Sequence, residues 1–408
     1  AAGVDKAAER LAEISAGIKS AAPRPDGPPV RWVGQQYSWH SLAHVNRGLC
    51  TRLLADSSVE LELSTNEHAL HRPLKGEPVA ALEARTGDVL SRPPRVEVRH
   101  QWPPDWNPPR QGAWVAIQPW EFGGLPDEWV KHLELVDEVW CYTNYVRDCF
   151  AASGVPAQKL RVIPLGVDTA VFDEGGPRYA LRTTKRTKLL FVGGTIARKG
   201  IDALLDAYIG AFTPSDDVCL VIKSTGATTA YRNQHQDHRI RALALDPGLP
   251  EIELIDDDLT PQEMADLYRA CDALVHPYRG EGFGLPIAEA MACGLPVVVT
   301  NHGAALDFCD DTTAFLIPAT VVPVPVDGGL PPSTTGYWWA EPDAGALRAL
   351  LQRVVEDPEA AKTVAARGRD RIRRDFTWDA ATAAVNERLL ALASAVPVRF
   401  QNELALTR

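Results

Sequence analysis

Four charged residues have types and spacing that suit chemistry on phosphate and sugar groups. Arg198 and Lys199 follow an apolar run that ends in two glycines, and Glu281 and Glu289 stand eight residues apart around a second glycine-rich turn. An arginine beside a lysine can bind a diphosphate, the arginine through its planar fork and the lysine as a point charge. A carboxylate can accept two hydrogen bonds from the hydroxyls of a sugar or ribose.

The second turn is the more informative of the two. An apolar run ends near Pro277, glycines follow within residues 280–284, and Pro286 suits the first turn of a helix that stops at Gly294. Such a turn directs backbone N–H groups at a helix N-terminus toward an anion, and its glycines allow a close approach. Glu289 lies among small apolar residues, where packing does not explain it. Alone, either glutamate is as easily a solvated or capping residue; together with the glycines, the pair favours a functional site.

Short apolar runs alternate with helical stretches along the whole chain, which predicts parallel sheets covered on both faces. The predicted strands are 31–33, 59–63, 96–98, 113–117, 139–141 and 160–163 in the first half, and 189–192, 219–222, 252–255, 273–276, 297–300 and 315–317 in the second. We therefore expect an α/β protein with two doubly wound domains, and ligands at the carboxyl ends of the strands. The proline- and glycine-rich residues 320–336 are predicted to form a surface loop.

Composition narrows the class of function. The 408 residues carry a formal net charge of −11, which argues against a protein that coats nucleic acid. Seven cysteines without metal-finger spacing predict reduced thiols and a cytoplasmic location. No apolar run reaches the roughly 20 residues of a membrane span. Residues 1–20 predict a short surface helix rather than a signal peptide, with a peripheral membrane contact left open.

The chain resembles the retaining glycosyltransferases of family 4, through the E-x7-E pattern of Glu281 and Glu289, the turn from Gly193 to Gly200, and the segment 162–168. The resemblance implies the GT-B fold, in which two Rossmann-like doubly wound parallel-sheet domains face each other across a cleft. We expect an acceptor-side domain at 1–175, with helix 376–408 packing back on it, and a donor-binding domain at 176–375.

The resemblance also implies roles for individual residues. Arg198 and Lys199 would neutralise the diphosphate of a nucleotide-sugar donor in place of a metal, Glu289 would bind the ribose, and Glu281 would hold the transferred sugar. Further donor contacts are implied for Gly194, Thr195, Leu259, Gly282, Phe283, Gly284 and Leu285. The implied reaction moves a hexose from a UDP- or GDP-sugar to a hydroxyl of a saccharide or glycoconjugate, with retention and without a metal or cofactor.

The first domain departs from the family pattern. Many relatives place a histidine after the fourth strand, where this chain has Gln118-Pro119-Trp120-Glu121. Trp120 and Glu121 are therefore candidates for the acceptor side. So is His40, which with His44 follows the loop after the first strand. Trp120 belongs to the tryptophan-rich segment 101–129, which is more simply explained as a loop packed on its own aromatic rings.

Three other interpretations of the sequence lead to different functions. Asp256-Asp257-Asp258 resembles a metal site, but the following Thr260-Pro-Gln-Glu263 predicts a capped helix start, near which acidic residues are expected. A nicotinamide dehydrogenase would need a Gly-x-Gly-x-x-Gly turn after a first strand, which is missing. A catalytically silent or epimerase-type nucleotide-sugar-binding protein on the same fold stays an alternative, since motifs do not prove turnover.

Overall fold

The chain forms two compact units. The computed structural model describes residues 27–38, 40–65, 67, 79–224, 235–325 and 330–395. By their contacts, the described residues within 5–166, 326–337 and 376–408 form what we call the first unit, and those within 167–325 and 338–375 form the second unit. The helix predicted within residues 1–20 lies outside the described residues.

The first unit is built on a parallel sheet of six short strands. These strands are β1 (Pro29–Val33), β2 (Glu60–Ser64), β3 (Val96–Arg99), β4 (Ala113–Ile117), β5 (Glu138–Cys141) and β6 (Leu160–Val162). Their order is β2-β1-β3-β4-β5-β6, with all neighbours parallel. Every residue of β4 is buried, as expected for a strand covered on both faces. The direction in which strands are added reverses between β1 and β3, so the sheet has a switch point there.

Helices alternate with these strands, and side-chain caps define where several of them begin. The described helices between β1 and β6 are α1 (Ser41–Asp56), α2 (Ala80–Glu83), α3 (Asp127–Leu133) and α4 (Asn144–Ala152). The Thr143 hydroxyl accepts a hydrogen bond from the Val146 N–H and starts α4. Aromatic and aliphatic residues of α3, α4, β4 and β5 form a core that includes Trp114, Trp120 and Trp129.

The second unit contains the other parallel sheet. Its strands are β7 (Thr187–Gly193), β8 (Val218–Ser224), β9 (Glu251–Ile255), β10 (Ala273–His276), β11 (Val297–Thr300) and β12 (Phe315–Ile317). The order β9-β8-β7-β10-β11-β12 is that of a doubly wound nucleotide-binding fold, with its switch point between β7 and β10. The carboxyl ends of these two strands are therefore where a ligand is expected.

Six α-helices of the described residues accompany the second sheet. They are α5 (Ile201–Ala211), α6 (Asp237–Ala244), α7 (Pro261–Ala270), α8 (Leu285–Ala292), α9 (Ala344–Glu356) and α10 (Pro358–Asp375). The predicted start of α7 is confirmed, because the Thr260 hydroxyl accepts from the Glu263 N–H at 3.1 Å and the Glu263 carboxylate accepts from the Thr260 N–H at 2.8 Å.

A two-stranded antiparallel ribbon, β13 (Ala319–Pro323) with β14 (Trp338–Pro342), follows β12 in the second unit. The predicted loop at 320–336 is therefore wrong for residues 320–323. Their proline and threonine content favours a loop, but pairing with β14 supplies backbone hydrogen bonds that no local pattern reveals.

The last described helix, α11 (Trp378–Ser394), belongs to the first unit and packs on α1 and β3. A Cβ atom at Gly48 of α1 would lie 2.8 Å from the Trp378 ring, so this glycine makes room for the indole. An ion pair between Arg388 and Glu138 and a 2.9 Å hydrogen bond from Arg95 to the Ala393 carbonyl also hold the helix.

The observed architecture confirms the predicted α/β class with two doubly wound parallel sheets. All seven cysteines are buried as free thiols. Among the described residues, none of the helices combines the length and the apolar content that a membrane crossing requires.

Candidate active site

The turn after β7 carries the two cations. A short 3-10 turn, Ala197–Lys199, is followed by Gly200, whose φ of +72° favours glycine. A Cβ atom at Gly200 would lie 1.8 Å from the carbonyl oxygen of Pro277. The glycine thus allows this turn to lie against the chain that leaves β10.

That close approach brings Arg198, Lys199 and Glu281 together. The Lys199 ammonium contacts Oε1 of Glu281, and a guanidinium nitrogen of Arg198 lies 3.9 Å from Oε2. Arg198 also donates to the Gly280 carbonyl at 2.8 Å. Glu281 is 6% exposed, Arg198 is 8% exposed and Lys199 is half-buried, so the cluster at the switch point of the sheet is largely shielded from water.

The electrostatics of this cluster favour an anionic ligand. Burial alone would raise the pKa of Glu281, but Lys199, Arg198 and His276 hold that pKa below its ordinary value, so the carboxylate is charged. Two cations and one carboxylate leave one positive charge over. His276, fully buried and stacked on Phe191, adds none at neutral pH because burial lowers its pKa to about 4.

Helix α8 begins directly after the acidic turn. Gly284 precedes it with φ +95°, and none of the side chains that the structure describes caps its first turn. Phe283 is buried against Phe308, with ring centroids 5.2 Å apart. This packing fixes the chain from Gly282 to Leu285 at a helix N-terminus, where backbone N–H groups suit a phosphate or sugar oxygen.

Glu289 lies on α8, half-buried, next to a tyrosine of α7. The hydroxyl of Tyr268 donates to Oε2 of Glu289 at 2.9 Å. Burial and the Glu289 carboxylate raise the pKa of Tyr268 well above its ordinary value, so the phenol remains a donor. One oxygen of Glu289 is thereby oriented by the protein, and a carboxylate has room to accept further hydrogen bonds.

The remaining donor-side candidates have mainly structural contacts. Thr195 is fully buried, and its hydroxyl bonds to the carboxylate of Asp237 and, at 3.0 Å, to His235. The Gly194 carbonyl accepts from the Ile196 N–H at 2.8 Å. Leu259 is half-buried, immediately before the residue that caps α7.

The acceptor-side candidates belong to the first unit. Nδ1 of His40 accepts from the Ala43 N–H at 3.3 Å and so caps α1. Trp120 is 5% exposed, and its indole N–H donates to the Gly124 carbonyl at 2.6 Å. Glu121 is partly exposed. The packing role of the tryptophan-rich segment therefore accounts for the Trp120 ring.

Three residues near the cluster were not singled out from the sequence: Arg279, His276 and Tyr268. Arg279 and His276 lie shortly before Glu281 in the sequence, and this proximity could have indicated that they belong to the site. Tyr268 offered none, because its contact with Glu289 depends on how α7 packs against α8.

The acidic run 256–258 is the metal-site candidate that the sequence offers. In the part of the chain that the structure describes, no three His, Cys, Asp or Glu side chains are grouped as metal ligands. The carboxylate of Asp256 forms an ion pair with Arg241.

The segment that carries both turns is similar to a known family. Residues 186–323 match the family model described as "Glycosyl transferases group 1". The matched segment begins beside β7 and ends with β13, so it contains Arg198, Lys199, Glu281 and Glu289.

Curated relatives agree with this group 1 match. The chain is 33% identical over 244 residues to a D-inositol 3-phosphate glycosyltransferase of Xylanimonas cellulosilytica, covering 57% of this chain and 51% of the relative. It is 28% identical over 251 residues to an MMP α-(1→4)-mannosyltransferase of Mycolicibacterium hassiacum, covering 61% and 53%. The chain thus spans about half the length of these relatives.

Solved structures extend the likeness to the whole fold. A glycosyltransferase of Rickettsia africae superposes with a TM-score of 0.66 at 14% identity, covering 91% of this chain and 100% of that one. Anabaena HepE in complex with UDP and glucose gives 0.59 at 14%, covering 88% and 98%. At such identities the likeness establishes the fold, and this chain has the GT-B fold.

Proposed function

We propose that the protein is a retaining glycosyltransferase that moves a hexose from a UDP- or GDP-sugar to a hydroxyl of a saccharide or glycoconjugate, without a metal. The observation that carries the proposal is the cluster of Arg198, Lys199 and Glu281. It lies at the carboxyl ends of β7 and β10, which flank the switch point, and it has one net positive charge.

The residues suit the charge changes of the reaction. The bond between the anomeric carbon and the phosphate oxygen breaks, the acceptor oxygen bonds to that carbon, and negative charge grows on the leaving diphosphate. Fixed cations stabilise this charge more in the transition state than in the ground state. An ammonium has three donor hydrogens, so Lys199 can contact Glu281 and a phosphate together. Retention with the leaving phosphate taking the acceptor proton follows from the family resemblance.

The names of the relatives support the donor class. They include a mannosyltransferase and D-inositol 3-phosphate glycosyltransferases, and the HepE structure contains UDP and glucose. A uridine or guanosine diphosphate-hexose is consistent with each of these. We assign acceptor recognition to the first unit, because the donor-side residues all belong to the second.

Nucleotide binding tests the proposal first. Thermal unfolding with millimolar UDP, GDP or ADP should raise the melting temperature for one base above the others, since a ligand that binds the native state stabilises it. Release of nucleoside diphosphate from the matching sugar should then depend on an acceptor. No stabilisation by any of the three would overturn the proposal, and release of a changed sugar without an acceptor would favour an epimerase.

Glu289 provides a sharper test of the site. Glu289→Ala should remove the preference for a ribonucleotide over its 2′-deoxy and 3′-deoxy analogues, because hydrogen bonds to a charged group contribute about 1.5–3 kcal/mol, roughly a tenfold to hundredfold change in Kd. Glu356→Ala, at an exposed position of α9 in the same unit, is the control and should keep the preference. Equal discrimination in the two variants would contradict the ribose assignment.

A further inference from the structure

Arg279 lies two residues before Glu281 and is only 7% exposed. Its guanidinium makes two 2.8 Å bonds to the two carboxylate oxygens of Asp202. It makes two more bonds, of 2.6 and 2.7 Å, to the oxygens of Glu341, and a fifth of 2.5 Å to the Ala197 carbonyl. The Arg279 cation also lies 5.3 Å from the ring centroid of Trp339.

These contacts exclude Arg279 as a ligand of the substrate. A guanidinium has five N–H donors, and Nε, Nη1 and Nη2 of Arg279 spend all five on Asp202, Glu341 and Ala197. The two carboxylates also outnumber the single cation. Arg279 therefore offers neither a donor hydrogen nor net positive charge to a diphosphate.

The contacts join Arg279 to two segments that are distant from it along the chain, residues 197–202 and β14. Asp202 stands in the first turn of α5, Ala197 opens the turn that carries the two cations, and Glu341 belongs to β14. The backbone takes part as well, since the Arg279 N–H donates to the Arg198 carbonyl at 2.8 Å and the Ala340 N–H donates to the Arg279 carbonyl at 2.9 Å.

We propose that Arg279 is a positioning residue, which holds the turn with Glu281 against the turn with Arg198 and Lys199, and that Glu341 of β14 is part of this device. The inference rests on the proposed transferase function. Catalysis by fixed charges depends on their placement, and an error of about 1 Å can cost about a hundredfold in rate. Lysine cannot replace Arg279, because a point charge lacks the planar fork that binds two carboxylates.

The test compares two buried arginines of the second unit. Arg269 of α7 is 8% exposed and bonds to Asp266, Asp173 and the Pro177 carbonyl, apart from the two turns. In Arg279→Lys we expect kcat to fall about thirtyfold to a hundredfold, while the Kd of the donor nucleotide changes less than about threefold. Arg269→Lys should lower the melting temperature about as much as Arg279→Lys does, and its kcat should stay within about twofold of the wild-type value.

One milder variant and one chemical rescue keep the test decisive if Arg279→Lys folds poorly. Glu341→Gln removes charge at a half-exposed side chain and should lower kcat by about fivefold. In Arg279→Ala, millimolar guanidinium should restore part of kcat where equal sodium chloride does not.

The possible failures can be told apart. Equal loss of kcat in Arg279→Lys and Arg269→Lys, or a raised Kd with unchanged kcat, would overturn the positioning role alone. A wild-type chain that binds no nucleotide would overturn the proposed function and this proposal with it.

Discussion

Each of the two sheets has a switch point where the strand order reverses. The side chains at the carboxyl ends of the strands there are charged in one sheet and neutral in the other. In the second unit, the ends of β7 and β10 bring a carboxylate into contact with two cations, and one positive charge is left over. In the first unit, the ends of β1 and β3 are joined by a neutral network. The cluster of the second unit therefore has a positive charge that can bind an anionic ligand, whereas the polar groups of the network in the first unit bond to one another.

Asn46 of α1 is the centre of the neutral network. Its amide oxygen accepts from the Trp32 indole at 2.8 Å and from His100 Nδ1 at 2.7 Å, and its amide nitrogen donates to the Gln35 and His100 carbonyls at 2.8 and 3.1 Å. The Tyr142 hydroxyl contacts the other ring nitrogen of His100. Burial lowers the pKa of His100 to about 3, so the ring is neutral.

The difference shows that strand order fixes where a ligand can bind, and the turn residues decide what is bound there. A buried neutral network mainly stabilises the fold, because each of its groups would be costly to leave unpaired. A buried charged cluster adds less to stability and is better suited to a charged ligand. Mutations at the two edges should therefore affect different measurements.

The largest effect is expected for Lys199→Ala. Loss of the ammonium should lower kcat/KM by a hundredfold to a thousandfold. This corresponds to a rise of about 3–4 kcal/mol in the activation free energy, the range seen when one group that stabilises a transition-state charge is removed. Steady-state kinetics with the donor found by thermal shift would measure the loss, and circular dichroism should show a retained fold. Lys185→Ala is the control, because Lys185 bonds to the Pro214 and Asp216 carbonyls elsewhere in the same unit. A rate within threefold of wild type would rule out Lys199 as a catalytic group.

Asn46→Ala should act on stability instead. It leaves the Trp32 and His100 N–H groups and two carbonyls without their partner, which should cost about 2 kcal/mol and lower the melting temperature of the first unit by roughly 4–8 °C. Asn144→Ala, at an exposed position on α4, should change it by less than about 2 °C. Similar melting temperatures for the two variants would show that the neutral network contributes little.

Much of the fold could be predicted because buried parallel strands have continuous apolar sequences. Ala113–Ile117 and Ala273–His276 are strands at the predicted residues. The ribbon of β13 and β14 could not be predicted. Its two strands are separated by a long connection, and β13 lies in a proline- and threonine-rich segment. Pairing between distant segments leaves no periodic signal in either one.

The candidate site divides in the same way. Residues in the two glycine-rich turns could be predicted to share one edge, because the carboxyl ends of adjacent parallel strands meet there. The partners of Arg279 could not, since Asp202 and Glu341 lie 77 and 62 residues away along the chain. The assigned roles of Glu281, Glu289, Arg198 and Lys199 stay predictions until the variants are measured.

The smallest expected effect concerns the pH dependence of stability at the charged edge. Burial lowers the pKa of His276 to about 4, whereas Glu281 raises it and Lys199 and Arg198 lower it further. An unfolded histidine takes up a proton as the pH falls through about 6.5, so between pH 6.5 and 4 the unfolded chain binds more protons and stability falls with the pH. The pKa of Glu281 is lowered from 4.5, so its contribution is lost only below pH 4.5.

His276→Phe keeps a ring of similar shape on Phe191 and removes this titration. Between pH 7.5 and pH 5.0, the free energy of unfolding of the variant should fall by about 1–2 kcal/mol less than that of the wild type, since each pKa unit is worth about 1.4 kcal/mol. Urea unfolding at the two pH values measures the difference, and His100 remains to give both proteins the same background. An equal fall in both proteins would mean that His276 is not held neutral by burial, and that the charged edge is wetter than the contacts of Glu281 imply.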